Sequence, residues 1–296
     1  MPRRGGVTRR TPVQNIAIVV GVIAMVVYFV GPFLWLVTSS LQTERDLLSV
    51  PPNWIPNPLN FSAYVELLTG AFLDATSGVP YQSRAFLPAL RNSFIVATFV
   101  SLFAVLIGSL AAYPLGRVRF RGRNVLMFVI LATRLIPALA LAVPFYLLAN
   151  RVGMLDRIET LIVINLSFVL PYVIWLLQSY FRTVPMDLED AGRIDGASRI
   201  QVVTRIIMPL ALPGIVSAGI LAFLMTWGEF FFALILTSSE RAFTSTVVAA
   251  MFVTDVDVPY VTIIAAGVLS VLPPVAFALI FQRYIVQGLT AGSVKG

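Results

Sequence analysis

The chain has 296 residues, of which 58% are hydrophobic and 12% are charged, and its formal net charge is +7. Because soluble domains carry about 25% charged residues, this composition predicts an integral membrane protein. Cysteine and histidine are both absent, and the one lysine is Lys295, next to the end. These facts exclude disulfides, Cys/His metal sites, Ser-His-Asp triads and the lysine of a P-loop ATPase, so we expect no catalytic site, no metal site and no cofactor on this chain.

The N-terminal segment 1–12 has no acidic residue and four arginines: Arg3, Arg4, Arg9 and Arg10. A basic start before an apolar run is also typical of a secretory signal, but the run from Ile16 to Leu41 is too long for a signal core, and no small-residue cleavage site ends it. We therefore expect a cytoplasmic tail over 1–12 and a first transmembrane span over 13–41. The proline-containing segment 42–92 is too short for a separate domain and is predicted to be an external loop.

Residues 93–287 hold the remaining apolar segments and are predicted to form one transmembrane domain. Spans 2 to 6 are expected at 93–115, 124–149, 160–181, 212–237 and 261–283. The turn after span 2 contains four arginines and no acid: Arg117, Arg119, Arg121 and Arg123. A nucleic-acid patch is one interpretation, but the concentration of positive residues on the cytoplasmic side explains the cluster and places both termini in the cytoplasm. Residues 288–296 are then a cytoplasmic C-terminal tail.

Two charged residues fall inside predicted spans, Arg134 in span 3 and Glu229 in span 5. An arginine inside a membrane costs at least about 2.5–3.5 kcal/mol on insertion scales, so Arg134 should face protein or water. A tryptophan beside a carboxylate suits sugar binding, because the ring packs on C–H groups and the carboxylate accepts hydroxyl hydrogen bonds. The candidate substrate path is therefore Trp227, Glu229, Phe230 and Arg134. A helix-joining role for Arg134 and a Glu229–Arg134 ion pair remain alternatives.

The segment 184–209, between spans 4 and 5, is polar but has the pattern of a folded element. Pro185 and the acidic residues that follow it suit the start of a helix, where the helix dipole favours negative charge. Gly196 is expected to break this helix, and Ser198 to cap a second one that Pro209 ends. The sequence thus predicts a short helix-turn-helix that lies on the membrane surface.

The same segment resembles the EAA loop of bacterial ABC importer permeases. Asp190-Ala191-Gly192 stands where that family has Glu-Ala-Ala, Gly196 follows three residues later, and nine residues beyond it the chain reads Ile206-Ile207-Met208-Pro209. Asp for Glu, Gly for Ala and Met for Leu depart from the family pattern, while the spacing of glycine and proline is kept. We further expect the small residues Ala191 and Gly192 to let the backbone of another protein approach closely.

The resemblance covers nearly the whole chain. The six spans, the segment Thr226–Phe230 and the tail 282–296 are similar to the smaller permease of maltose-type carbohydrate importers. This resemblance implies an all-α membrane protein of a bacterial or archaeal inner membrane, with six transmembrane helices and a cytoplasmic EAA coupling helix between spans 4 and 5. It also implies binding-protein-dependent import of a sugar or polyol, a heterodimer with a second permease, two cytoplasmic ATPase subunits that bind ATP and Mg²⁺, and an external solute-binding protein.

The resemblance implies, in addition, which residues meet the ATPases. The coupling residues are Glu189, Asp190, Ala191, Gly192, Asp195, Gly196, Ala197, Ile206 and Pro209. The C-terminal tail would contact the ATPases through Gly288, Leu289, Thr290, Gly292 and Lys295. Two other functions are alternatives: a self-contained secondary transporter, which would need internal repeats and several embedded titratable groups, and a membrane enzyme, which would need a catalytic cluster.

Overall fold

The computed structural model describes residues 12–70, 81–253 and 258–291, with side chains up to Tyr284. Every regular element in these ranges is helical. The helices are α1 (Pro12–Ser39), α2 (Glu44–Leu47), α3 (Ser62–Thr69), α4 (Tyr81–Arg117), α5 (Arg123–Ala132), α6 (Ala138–Arg151), α7 (Ile158–Thr183), α8 (Met186–Ile194), α9 (Arg199–Val202), α10 (Met208–Leu210), α11 (Leu212–Trp227), α12 (Phe231–Leu236), α13 (Ser245–Met251) and α14 (Tyr260–Ala291). A 3-10 turn, Thr133–Leu135, follows α5, and a π-helical turn, Val203–Ile207, joins α9 to α10.

Four helices are long and apolar enough to cross a membrane, namely α1, α4, α7 and α14. Two bent pairs pass the same test together: Arg123–Leu135 with Ala138–Arg151, at 87°, and Arg199–Leu210 with Leu212–Trp227, at 75°. Counting each bent pair as one span gives up to six spans in the described residues. The predicted all-α membrane fold is therefore confirmed.

The helix that contains the second span begins before the predicted start of the span. The sequence placed the loop end at residue 92, whereas α4 starts at Tyr81. The added turns pack on α3, and Ala85, Phe86 and Ala89 within them are fully buried. The hydroxyl of Ser83 also donates a hydrogen bond to the carboxylate of Glu66 on α3. Because this segment buries apolar side chains against a neighbouring helix, the helix continues well beyond the predicted span.

The third span is broken, although the sequence predicted one helix over 124–149. Ile136 has extended backbone angles (φ −70°, ψ 121°), and Pro137 directly precedes α6. Proline has no amide hydrogen and disfavours helical geometry in the residue before it, which explains a break at this place. The break puts Arg134 at the corner of the 87° bend.

The helix α4 is the one on which the bundle assembles, since it packs on α3, α7, α11 and α13. Small residues let it approach α7 closely: a Cβ added to Gly108 would lie 2.8 Å from Cγ1 of Val173. Ala104 and Ala112, on the same helix, are fully buried. Small residues at such an interface are typical of membrane helices, because they allow close backbone contact. The pairing brings the C-terminal end of α4 beside the polar segment that follows α7.

Candidate functional site

The polar segment between α7 and α11 folds as two helical arms joined by a turn; we call residues 186–210 the two-arm segment. The first arm is α8, with two acidic residues in its first turn, and the turn contains Gly196 at φ +86°. The second arm begins at a capping box, in which Oγ of Ser198 accepts from the amide of Gln201 (3.3 Å) and Oε1 of Gln201 accepts from the amide of Ser198 (2.8 Å). The predicted helix, glycine turn and serine cap are confirmed.

The second arm does not end at Pro209, as the sequence predicted. Its helical backbone passes through the π-helical turn Val203–Ile207 and through Pro209, and reaches Leu210. In a regular helix the ring of Pro209 would clash with the carbonyl of Arg205. The wider π turn directly before the proline relieves this crowding, so the sharp bend falls at Ala211 instead.

Gly192 is buried inside the two-arm segment, whereas the sequence suggested that it is open to a partner's backbone. A Cβ at this position would lie 2.4 Å from Cδ1 of Ile206 and 3.5 Å from Cγ2 of Val202. The carbonyl of Gly192 also accepts a hydrogen bond from the amide of Ala197 at 3.0 Å. The small size of Gly192 therefore serves the packing of the first arm on the second, while Ala191 beside it is exposed.

An ion pair between buried Arg117 and partly buried Glu189 joins the first arm to the end of α4. Arg117, only 6% exposed, donates from Nε to Oε2 of Glu189 at 3.0 Å. The second oxygen of the same carboxylate, Oε1, accepts a hydrogen bond from the hydroxyl of Tyr113 at 2.6 Å. Both oxygens of Glu189, predicted to face an ATPase, are thus bound inside the chain.

The same arginine also binds the backbone where α7 turns into α8. Its two terminal nitrogens donate to three carbonyls: Val184 (2.5 Å), Phe181 (3.2 Å) and Pro185 (3.3 Å). These carbonyls lie at the C-terminal end of α7, where the helix itself supplies no donors. Arg117 therefore joins α4, α7 and α8 at one point.

Sequence reasoning missed this role because it treated Arg117 as one of four arginines in a basic turn. A local signal was present, since Tyr113 and Arg117 are four residues apart and so lie on one face of a helix. Both of them point to Glu189 in the structure. What the sequence did not show is that α8 lies under this face.

The outer surface of the two-arm segment carries most of the other predicted coupling residues. Asp190, Ala191, Asp195, Gly196 and Pro209 are exposed, and Ala197 and Ile206 are partly buried. Ile194 and Ile200, on either side of the glycine turn, are 86% and 76% exposed. The turn therefore has an apolar tip within a charged surface.

Arg134 and Glu229 both lie in the part of the chain that the structure describes, and they do not form an ion pair with each other. Glu229 accepts hydrogen bonds from the amides of Phe232 (2.7 Å) and Ala233 (3.1 Å), and so caps the start of α12. Arg134 is exposed and donates from Nη1 to the carbonyl of Phe168 on α7 at 2.7 Å. The ion-pair alternative is wrong for this structure, and the helix-joining contact of Arg134 is present.

Trp227 and Glu229, predicted to bind a sugar together, have their side chains turned toward different helices. Trp227 is 7% exposed, stacks on Phe223 at 5.6 Å and donates from Nε1 to the carbonyl of Ser270 at 3.0 Å. Its indole thus packs toward α14, whereas the carboxylate of Glu229 binds α12. Phe230 is 38% exposed. Of the four predicted path residues, Trp227 lines a pocket of about 560 Å³ together with Phe94 and Pro273, and Arg134 lines a separate cleft.

That cleft lies at the broken third span, and we call it the Arg134 cleft. It has a volume of about 390 Å³. Its lining residues include Thr133, Arg134, Phe145, Ser167, Phe168 and Pro171. The remaining lining residues are aliphatic, so Arg134 is the one charged side chain among those that line it.

At the other end of the bundle, Asp156 joins two turns. Its Oδ1 accepts from the amides of Ser238 (2.8 Å) and Ser239 (2.9 Å), and its Oδ2 accepts from the hydroxyl of Ser239. Its own amide donates to the carbonyl of Leu236 at 2.9 Å. Burial raises the pKa of Asp156, but these hydrogen bonds and nearby Arg241 outweigh it, so the pKa lies below the ordinary value. The α6–α7 turn is thereby fixed to the end of α12.

Of the predicted tail residues, Gly288, Leu289 and Thr290 lie on the helical backbone of α14, which continues to Ala291. Gly292 and Lys295 lie outside the described residues, as does the basic segment 1–11.

Comparison with known proteins identifies the architecture. A family model described as "binding-protein-dependent transport system inner membrane component" matches residues 104–291. The trehalose/maltose transport system permease protein of Thermococcus litoralis is 35% identical over 97% of this chain and 99% of its own length. The trehalose transport system permease protein of Mycobacterium tuberculosis is 33% identical, over 91% and 93%. The chain belongs to this permease family.

Solved structures agree with the assignment at the level of the fold. A chain from the crystal structure of a bacterial ABC transporter for the acidic polysaccharide alginate matches with a TM-score of 0.73 and 21% identity, over 93% of the permease and 99% of that chain. The permease is thus a membrane-spanning subunit of an ABC importer in an inner membrane, a transport subunit rather than an enzyme.

Proposed function

We propose that the permease forms half of the translocation path for a sugar or sugar-like solute, and that its two-arm segment couples this path to a cytoplasmic ATPase. The carbohydrate class is supported by its relatives, which include a trehalose/maltose permease and a trehalose permease. Coupling is supported by the exposed surface of the segment, with Asp190, Ala191 and the apolar tip turned away from the bundle.

The observation that carries the proposal is the buried joint at Arg117. A surface helix transmits a push only if it moves as one body with the spans behind it. Arg117 binds Glu189 on α8 and three carbonyls at the end of α7, and its own helix is the centre of the bundle. Closure of the ATPases would then displace α8, and through it α4 and α7 together, which opens the path alternately to either side of the membrane.

The partners follow from the same proposal. A second permease completes the path, two ATPase subunits bind ATP and Mg²⁺, and an external solute-binding protein delivers the solute. Both termini of the permease are cytoplasmic, and the C-terminal tail from Gly288 onward reaches the ATPases. The deletion of 289–296 is therefore expected to weaken ATPase assembly or activity.

The test is ATP-driven uptake by the complete complex in proteoliposomes. Asp190→Lys inverts an exposed charge without disturbing a described buried contact, and should leave the amount of complex unchanged while separating ATP hydrolysis from uptake. Glu159→Lys, a charge reversal at the exposed start of α7, is the matched control and should keep uptake and hydrolysis coupled. Normal coupling in Asp190→Lys contradicts the proposed role of the segment, and uptake that needs no ATPase supports a self-contained transporter instead.

A further inference from the structure

The position of Arg134 within the membrane can be read from two helices. Arg134 is eleven residues beyond the start of α5, and its partner Phe168 is ten residues beyond the start of α7. At 1.5 Å per residue these distances are about 16 Å and about 15 Å, close to half of the roughly 30 Å hydrocarbon core. The two estimates come from independent ends of the bundle and agree. Counted from these two helix starts, Arg134 lies about halfway along the expected spans.

The charge of Arg134 is not neutralised within the described residues. A guanidinium offers five N–H donors, and the structure gives it one acceptor, the carbonyl of Phe168. Glu229, the other charge in the predicted spans, is bound to the start of α12 instead. An uncompensated cation at this depth is costly, and such residues typically mark the path of an ion or a substrate.

The Arg134 cleft offers little to a solute other than this cation and aromatic faces. The hydroxyls of Thr133 and Ser167 donate to the carbonyls of Ile130 and Ile164 in their own helical turns. Phe145 and Phe168 pack edge to face at 6.2 Å along the wall. The hydrogen-bond donors that remain free in the cleft are those of Arg134, which suits an acceptor-only group carried on a body with C–H faces.

We infer that the Arg134 cleft receives an anionic group (a carboxylate, sulfonate or phosphate) of the transported sugar, so that the permease serves an importer of acidic sugars. This inference rests on the proposed function. The anion neutralises Arg134, and the sugar ring packs on Phe145 and Phe168. A planar guanidinium binds such oxygens with two parallel hydrogen bonds, which neutral hydroxyls do not reproduce.

The test is ATP-driven uptake by the complete complex, with its binding protein, of matched neutral and acidic solutes. The probes are glucose with glucuronate and glucose 6-phosphate, galactose with galacturonate, and maltose with maltobionate. We expect at least one acidic member to enter at least tenfold faster than its neutral partner. Uptake of a neutral member at an equal or higher rate, or no uptake of any acidic member, overturns the inference.

Variants of Arg134 test whether the preference for acidic solutes depends on the Arg134 cleft. Arg134→Gln should lower uptake of the acidic solute at least tenfold, mainly by raising its KM, and Arg134→Lys should retain part of it, because the charge is kept. Arg151→Gln, which removes an exposed arginine outside the cleft, should keep the preference. If Arg134→Gln instead releases the second permease from the purified complex, Arg134 pairs with a carboxylate of that partner and the inference is wrong.

The two proposals fail in different ways. ATP-driven uptake of neutral solutes alone refutes the acidic-sugar inference and leaves the coupling proposal standing. Uptake of an acidic sugar that does not require the ATPases refutes the coupling proposal.

Discussion

Arg117 and Arg134 differ in how the charge of the guanidinium group is compensated within the chain. Arg117 is 6% exposed and is neutralised by Glu189, with three backbone carbonyls as further acceptors. Arg134 is exposed in the Arg134 cleft and has one carbonyl as its partner. Because Arg117 is compensated within the chain, we expect the two-arm segment to move together with α4 and α7. Arg134 lacks such compensation within the described residues, which agrees with the proposal that it binds a group from outside the chain.

The largest expected effect is the loss of the Arg117 joint. Arg117→Gln leaves the carboxylate of Glu189, whose side chain is 15% exposed, without its cation. Because the loss of one partner of a fully buried pair typically costs about 3–5 kcal/mol, we expect a loss toward the lower end of that range. The double variant Arg117→Gln/Glu189→Gln should recover much of this loss. Thermal unfolding of the purified permease, together with its amount in the membrane, measures the four members of the cycle.

Arg119→Gln is the control for that cycle, since Arg119 is exposed and two residues away. It should change the free energy of unfolding by less than about 0.5 kcal/mol. Equal effects of Arg117→Gln and Arg119→Gln would show that the joint does not stabilise the fold.

The packing of the two arms predicts a smaller effect at Gly192. Gly192→Val places a branched side chain against Ile206, whose Cδ1 is 2.4 Å from the nearest possible Cβ. Overpacking of this kind typically costs about 1–3 kcal/mol. Ala191→Val is the control, because it adds the same side chain at the exposed neighbouring position, and it should lower the unfolding midpoint less. A larger effect of Ala191→Val than of Gly192→Val would mean that the close approach is on the outer surface, as the sequence suggested.

At the opposite end of the bundle, the lowered pKa of Asp156 predicts that the stability of the fold depends on pH. The folded state holds the proton of Asp156 less tightly than the unfolded state, so the stabilisation is complete above the ordinary pKa of 3.8 and is lost as the pH falls through the lowered folded pKa. Asp156→Asn should cost about 1 kcal/mol at pH 7, because the hydroxyl of Ser239 loses a charged acceptor. Unfolding midpoints measured from pH 7 to pH 3 should therefore fall more steeply for the native permease than for the variant. Parallel curves would mean that Asp156 does not titrate with folding.

The smallest expected effect is the coupling between Arg134 and Glu229. Because Glu229 binds the start of α12 and Arg134 binds Phe168, the effects of Arg134→Gln and Glu229→Gln on unfolding should add to within about 0.5 kcal/mol. Recovery in the double variant would instead mean that the two charges pair in the membrane.

The sequence predicted the parts of the two-arm segment that are decided locally. The start of α8 after Pro185, the turn at Gly196 and the cap at Ser198 each depend on a few neighbouring residues, and all three are present. The inward orientation of Gly192 and Glu189 depends on what lies across from them. That information is in α4 and in the second arm, so a local pattern does not reveal it.

For Arg134 and Glu229, too, a local sequence pattern did not reveal the partners. The sequence identified Arg134 and Glu229 as the two charges inside spans and left their partners open. Glu229 binds amides three and four residues ahead, in a short helix that begins only because span 5 breaks after Trp227. Pro137 was visible in span 3, but prolines also lie inside the unbroken helices α4, α7 and α14, so its presence alone did not predict a break.

The outer face of the two-arm segment is proposed to contact an ATPase, and cross-linking tests this contact most directly. The chain contains no cysteine, so one introduced cysteine is unique. Ala191→Cys, on the exposed face of α8, should cross-link to a co-purified ATPase subunit, whereas Val152→Cys, exposed in the turn after α6, should not. A cross-link that forms from Val152→Cys, or fails to form from Ala191→Cys in an assembled complex, would contradict the account.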